Sequence, residues 1–205
     1  GFTLEAFRTN LKNAFFLQPN GADDFGLLFE KQNGQGARVQ GLTIEIRSNY
    51  NRKVQLESGY TIQTNEFQNP VAYIDGVPPI TRFIRTPNDY GFAVLTLNPN
   101  EHLSMNLNYV YTGSMLVPHF AGAPNQTIDE IVNVESFSNL SFRLSYALGL
   151  KKSKMIVECY AGIKNIFNEY QDDFDVGKNR DSNFVYGPAQ PRTIFGGVKI
   201  RSGKL

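Results

Sequence analysis

Eight segments of roughly ten residues alternate apolar with polar side chains, which is the period-2 mark of a strand, and the connections between them alternate strictly between long and short. The pattern predicts strands at 3–17, 37–47, 53–64, 89–97, 102–112, 139–148, 154–166 and 192–201. Long connections fall at 18–36, 65–88, 113–138 and 167–191, and short ones at 48–52, 98–101 and 149–153. The short ones hold turn-forming residues: Asn49-Tyr50-Asn51, Asn98-Pro99-Asn100 and Gly149-Leu150-Lys151. If consecutive strands pair, every long connection emerges at one end of an antiparallel meander and every short one at the other. Structureless loops of this length would argue against the strands in an ordinary domain. Sorted to one rim, they instead become the organising feature.

That sorting is the layout of an outer-membrane β-barrel wall, and the strand faces agree. One face reads Val54, Leu56, Ser58, Tyr60, Ile62; Leu103, Met105, Leu107, Tyr109, Tyr111; Leu140, Phe142, Leu144, Tyr146, Leu148; and Met155, Val157, Cys159, Ala161, Ile163. It carries no charge, and Ser58 is its only strongly polar member. The opposite face includes Lys53, Glu57, His102, Asn106, Arg143, Glu158 and Lys164, which must meet water or one another. Gly91, Ala93, Leu95 and Leu97 extend the apolar face into a less regular strand. The expectation is joint: Leu107, Leu144 and Val157 on one side of the sheet, Asn106, Arg143 and Glu158 on the other. The competing fold is a soluble β-sandwich, whose strands also alternate, though sandwiches do not sort long loops to one end so strictly.

Composition removes other classes. With 20 Lys+Arg against 19 Asp+Glu the net charge is +1, so no polybasic field is present to hold nucleic acid. Charged residues make up 19% of the chain, below the roughly 25% of soluble domains, which suits a second apolar surface. Cys159 is the single cysteine, so no internal disulfide or C-x-x-C spacing arises. No apolar run approaches the ~18 residues of a membrane helix, and no signal-peptide pattern opens the chain. An opening at Gly1, already within a strand-like pattern, is expected of a piece of a longer precursor.

The C-terminal region carries the most specific pattern. Ala161-Gly162-Ile163-Lys164-Asn165-Ile166-Phe167-Asn168-Glu169-Tyr170 is followed, after a loop of mixed charge, by Tyr186-Gly187-Pro188-Ala189-Gln190-Pro191-Arg192-Thr193-Ile194-Phe195-Gly196-Gly197-Val198-Lys199-Ile200. This resembles the end of TonB-dependent outer-membrane receptors, with Asn165, Phe167, Asn168 and Tyr170 in the penultimate strand's motif and Gly187, Pro188, Pro191, Arg192 and Phe195 opening the last strand. Stretches at Arg85–Gly91 and Tyr109–Met115 are also similar to these receptors. Pro188 and Pro191 lack ladder donors and suit a loop and a strand's first residue. The resemblance implies an all-β, antiparallel up-and-down meander of about eight strands, the last part of a 22-stranded barrel with its long loops outside the cell. Residues 1–205 would be the C-terminal segment, without the plug domain and TonB box. It further implies an outer-membrane location, contact with membrane lipid, the receptor's own plug and the TonB protein, and uptake of a scarce large solute: a ferric siderophore, haem, cobalamin or a glycan. The family pattern often ends on an aromatic residue, whereas here Arg201-Ser202-Gly203-Lys204-Leu205 follows Ile200 and weakens that assembly signal.

Candidate ligand contacts are Arg82, Arg85, Arg143, Lys164, Arg180 and Tyr186, with Arg192 beside them, placed on loops or the inner face to attract an anionic solute. Ion pairing with Glu57, Glu158 and the plug is the competing role for these cations. Asp172–Asp181 has acidic spacing faintly like a calcium loop but lacks the third acidic ligand and closing Glu; a solvated loop with local Asp–Arg pairing is expected. No metal, cofactor or catalytic grouping is predicted, since His102 and His119 fall at opposite ends of one strand and no Ser/His/Asp set assembles. Cys159 reads as a small hydrophobe. A secreted β-sandwich module binding glycan or protein through its loops is the alternative function. A fragment with two open sheet edges is expected to self-associate.

Overall fold

A computed structural model describes residues 1–13, 15–34, 36–150 and 154–202. Among them are thirteen strands and no helix: β1 (Phe2–Leu11), β2 (Phe15–Asp23), β3 (Gly26–Asn33), β4 (Ala37–Tyr50), β5 (Val54–Val71), β6 (Ile80–Arg82), β7 (Asp89–Leu97), β8 (Leu103–Thr112), β9 (Met115–His119), β10 (Glu130–Val134), β11 (Phe137–Leu150), β12 (Met155–Lys164) and β13 (Thr193–Ser202). Eight form one antiparallel wall in the order β1-β4-β5-β7-β8-β11-β12-β13, with β6 paired to β5. The other four form two hairpins, β2–β3 and β9–β10, which stand within the first and third long connections. The wall is a single meander, and among the described residues no second sheet of comparable size packs on it as a sandwich requires.

Turn chemistry fixes the short rim. Asn49 Oδ1 accepts Arg52 N–H at 3.0 Å, and Asn51 and Arg52 take φ near 50° and 56°. Asn100 Oδ1 accepts the amides of His102 (2.9 Å) and Leu103 (3.0 Å). Both are Asx turns, in which the side chain supplies the hydrogen bond that a backbone turn would make. The expected turn residue Lys151 and the terminal residues 203–205 lie outside the described residues.

Register carries the two faces across all eight strands. Leu107 pairs with Phe142, Leu144 with Met105 and Ala161, and Val157 with Leu148 and Ile200, while Arg143 pairs with Asn106 and Gly162, and Glu158 with Ala147 and Lys199. Directly opposed residues share a face, so the expected joint pattern holds. The same ladder places Gly91, Ala93, Leu95 and Leu97 on the apolar side and adds Phe2, Leu4, Leu42, Ile44 and Ile46 from the strands that alternate least cleanly.

Two expectations are corrected. The segment 3–17 is not one strand: β1 ends at Leu11, Asn13 takes φ 55°, and Phe15 begins a strand paired with β3 instead. The long connections are also not structureless, since two hold hairpins and β5 runs on to Val71 before meeting β6.

Burial is inverted relative to a soluble domain. The buried apolar cluster of Met115, Val117, Val134 and Phe184 lies among the long connections, whereas the wall leaves Val198 61% and Ile200 62% exposed. A continuous apolar face of this extent needs a covering medium. Close strand approach is filled by aromatic rings laid over glycines in register. Phe195 covers Gly162 and Phe92 covers Gly59, so closely that an added Cβ would meet the ring at 2.5 Å and 2.7 Å respectively.

Candidate functional site

The long connections gather into one body at their end of the wall. Arg85, with φ 54°, donates its backbone N–H to Leu116 O at 2.6 Å, and its guanidinium reaches Val185 O at 3.0 Å and Asn183 O. One residue thereby ties the second, third and fourth long connections together. Charge assistance makes such bonds stronger than neutral ones.

The fourth connection, 167–191, has no strand, and side chains supply its order. Asn165 is 2% exposed with φ 50°; its Nδ2 donates to Glu169 O (2.9 Å) and Gln190 O (3.0 Å), so it clasps both ends of the loop. Asn168, at φ 60°, accepts the Arg192 amide on Oδ1 at 2.8 Å, while Arg192 Nε donates to Ile166 O at 3.0 Å. Asparagine tolerates the left-handed region better than other non-glycine residues, which gives a physical reason for two asparagines in this motif. Buried Gln171 donates to Phe184 O (3.0 Å) and accepts the amides of Tyr186 (2.9 Å) and Gly187 (3.4 Å). The motif residues thus close a loop. Phe167 and Tyr170 remain exposed, and Phe195 faces the polar side as the lid on Gly162.

Deeper in the cluster, His119 Nε2 lies 3.1 Å from Asp175 Oδ2, and its ring stacks on Phe184 at 3.6 Å between centroids. Asp175 also accepts Asp181 N–H (3.0 Å), and Asp181 accepts Phe120 N–H (3.0 Å). The expected Asp–Arg pairing is therefore replaced: Arg180 donates to Gly177 O at 3.2 Å, and Asp175 and Asp181 turn to a histidine and to backbone amides. Satisfying buried amides outranks an exposed ion pair, which is worth about 0–1 kcal/mol. Among the described residues no group of three or more His, Cys, Asp or Glu side chains is placed to hold a metal ion. Tyr186 O–H donates to Asp173 at 2.8 Å; burial first, then this carboxylate, pushes the phenol above its ordinary value.

The polar face carries a smaller cationic set. Arg143 pairs with Glu158 at 3.1 Å and lies over Tyr160, 4.5 Å from the ring centroid. Lys164 stands 5.8 Å over Phe195. Arg82, on β6, is half-buried, with its carbonyl accepting Tyr73 O–H at 3.3 Å. Of the six candidate contacts, Arg85 and Tyr186 both lie in the loop body but bond to different partners, Arg143 and Lys164 line the polar face, and Arg82 and Arg180 stand apart.

Two concavities lie at the loop end. An aromatic pocket of about 610 Å³ is lined by Phe15, Phe67, Tyr73, Phe83, Leu11 and Lys12. Phe67 and Phe83 are 4.5 Å apart between centroids, and Leu11 and Phe67 share the polar face, both flanking Ala37 in register. A second, of about 630 Å³, is lined by Glu135, Glu169, Asp172, Tyr170 and Tyr186 among others. The first set escaped the sequence reading, although a signal was present: Leu11 and Phe67 are apolar at polar-face parity, near the loop ends of their strands.

Comparison with known proteins bears on this architecture. A family model described as TonB dependent receptor-like, beta-barrel matches residues 1–166. The motif from Phe167 to Phe195 lies beyond that match. No curated protein matches the chain significantly. Among solved structures, the ferric-catecholate import receptor Fiu from E. coli K12 is similar at 20% identity and TM-score 0.62, over 97% of this chain and 24% of that one. The siderophore receptor PirA from Acinetobacter baumannii is similar at 14% identity and TM-score 0.61, over 96% of this chain and 29% of that one. The ferripyoverdine receptor of the Pseudomonas aeruginosa outer membrane is similar at 11% identity and TM-score 0.63, over 98% and 25%. The chain therefore spans about a quarter of the length of each.

Proposed function

The chain belongs to the TonB-dependent receptor β-barrel family, whose members are bacterial outer-membrane proteins, and from that premise we propose that it forms the C-terminal wall and outer loops of a receptor taking up a ferric chelate of the siderophore class. TonB-dependent coupling and the receptor's own plug are part of this reading. So is the placement of the loop body outside the cell. Three structures that share the fold are described as a ferric-catecholate import receptor, a siderophore receptor and a ferripyoverdine receptor bound to ferripyoverdine, which supports an iron chelate over haem, cobalamin or a glycan.

The observation carrying the proposal is the aromatic pocket of Phe15, Phe67, Tyr73 and Phe83 with Lys12 at its edge. Flat rings stack on aromatic walls, and a lysine ammonium favours the negative charge of a ferric complex. Arg85 and Arg192 are committed to carbonyls of their own chain, and Arg143 to Glu158, so they serve as positioning groups.

The test is equilibrium binding of a ferric tris-catecholate and a ferric citrate complex to the full-length protein, with energised uptake of labelled iron measured in cells. Phe67→Ala and Lys12→Ala are each expected to weaken chelate binding at least tenfold. Binding of neither chelate by the intact protein, or wild-type affinity in both variants, overturns the proposal.

A further inference from the structure

One polar side chain of the wall is buried beside the aromatic pocket without a partner. Asn65 lies on the polar face of β5, two residues before Phe67, so the two side chains stand one row apart, roughly 6.6 Å along the strand. Its register partner is Val39, which in turn faces Thr9. Asn65 is 3% exposed, and neither Nδ2 nor Oδ1 meets a hydrogen-bonding group among the described residues. A buried carboxamide without partners is costly, and native structures hold few.

Its cover is the excursion from β5 to β7. Tyr73 and Phe83 lie against Phe67, 6.4 Å and 4.5 Å between centroids, Tyr73 O–H donates to Arg82 O at 3.3 Å, and Ile74 is fully buried. Residues 72–84 thus fold back over the polar face beside Asn65. The far end of the excursion is firmly tied. Arg85 bonds to Leu116, Asn183 and Val185, while Gln63 donates its backbone N–H to Asn88 O at 2.6 Å and its Nε2 to Pro87 O at 3.0 Å. The part over Asn65 is thinly held. β6 is three residues long, its register with β5 breaks between Glu66 and Val71, and Phe83 N–H reaches Asn65 O only at 3.4 Å. Anchored ends with a weakly bonded middle make a flap.

We infer that Asn65 is a solute-contacting residue kept under this flap: a ferric chelate seated against Phe67 and Phe83 displaces 72–84, and the Asn65 Nδ2 hydrogens then meet its iron-binding oxygens. Iron(III) is a hard cation that takes anionic oxygen ligands, and such oxygens are the acceptors that Nδ2 lacks. On opening, Oδ1 turns to water. The closed state is penalised by the unpaired amide and the solute-bound state is not, which is the differential interaction that couples binding to opening. Lys12 at the pocket edge supplies charge, whereas Asn65 supplies a directed donor. A carboxylate of the same size in its place would repel the same solute. The inference rests on the chelate-binding reading of the pocket given above.

The experiment combines hydrogen exchange by mass spectrometry with equilibrium binding of a ferric tris-catecholate, both on the full-length protein. In the solute-free protein, Asn65→Leu removes the unpaired amide at nearly constant volume. Exchange in peptides spanning 72–84 should slow about fivefold or more, with peptides spanning 103–112 unchanged. Asn65→Val, suited to a strand beside Val39, serves the same purpose if the leucine variant does not assemble. Asn65→Asp should speed exchange in 72–84, and so should saturating chelate on wild type, at least fivefold. Asn65→Leu and Asn65→Asp should both weaken chelate binding at least tenfold although they move the flap in opposite directions, a combination that a purely structural asparagine would not give. Unchanged or faster solute-free exchange in the apolar variants, the result for an amide satisfied by ordered water, overturns the inference. So does slower exchange of 72–84 on saturation, or binding within threefold of wild type in Asn65→Asp. Failure of wild type to bind the chelate overturns the earlier reading of the pocket and the solute contact with it, while the solute-free comparison still decides the flap.

Discussion

Replacing Gln171 by alanine should open the fourth long connection without loosening the wall. The Gln171 side chain is 3% exposed and makes three hydrogen bonds, one to Phe184 O and two from the amides of Tyr186 and Gly187. Each such bond contributes about 0.5–1.5 kcal/mol net, and a buried group left unpaired costs about 1–3 kcal/mol. The 3.4 Å bond to Gly187 is the weakest, so about 2–4 kcal/mol is expected for the whole. At 1.4 kcal/mol per factor of ten, even 2 kcal/mol raises the local opening constant about 30-fold. Hydrogen exchange by mass spectrometry on the intact protein reads this directly. Peptides spanning 168–187 should exchange about 30-fold faster or more, and peptides spanning 155–164 unchanged, because β12 is held by ladders to β11 and β13 that Gln171 does not touch. Gln171→Glu keeps both acceptor roles and loses the donor to Phe184 O, so it should fall between wild type and alanine. If exchange in 168–187 stays within threefold of wild type in the alanine variant, the loop is held by something other than this side chain.

Gly162→Ala should impair assembly, measured as loss of heat-resistant gel mobility, because its Cβ would meet Phe142 O at 2.5 Å as well as the Phe195 ring. Adding Phe195→Ala should restore it only in part, since the carbonyl is backbone. In alkaline titration followed by near-ultraviolet absorbance, the difference between wild type and Tyr186→Phe should reveal one phenol ionising above the ordinary value of about 10. The fold favours the protonated phenol, so its stabilising contribution is complete below about pH 10 and is lost as pH rises through the elevated value. Glu158→Gln should shift the unfolding midpoint little, consistent with an ion pair worth about 1 kcal/mol or less at 3.1 Å and with Arg143 46% exposed. The 205-residue chain alone, with β1 and β13 as unpaired edges, should form multimers in detergent-free light scattering; a clean monomer mass would contradict this.

The wall was readable because each of its strands obeys a local rule. Alternation gives the face, turn residues give the hairpin, and a one-residue slip would invert a whole strand. Even β7, whose Gly91 and Ala93 give a weak apolar signal, is fixed by Leu95 and Leu97 opposite Leu107 and Met105. The break after Leu11 was less visible, although Asp23 and Gly26 announce a hairpin. Asp23 Oδ1 accepts the amides of Phe25 (2.8 Å) and Gly26 (3.1 Å), an Asx turn legible as Asp-Asp-Phe-Gly. That turn implies a hairpin of its own between β1 and β4, with its first strand drawn from the end of 3–17.

The loop body was illegible for a different reason. Its order comes from pairs far apart in sequence: His119 with Asp175, Arg85 with Asn183 and Val185, Asn165 with Gln190. Charge marks Arg85 and Arg192 as available cations, yet a guanidinium serves a backbone carbonyl as readily as a ligand, and only the fold reveals which. The same division sets where motion belongs. The strands from β4 to β12 in the wall are held by continuous ladders on both sides, whereas 167–191 has no ladder and is held by Phe184 in the buried cluster and by side-chain bonds worth about 1 kcal/mol each. Segments held in that way occupy the low-stability end of a structure, from which binding loops are drawn. The segment with the fewest local rules is therefore the one free to move, and Gln171, Asn165 and Arg85 are the residues that set how much opening costs.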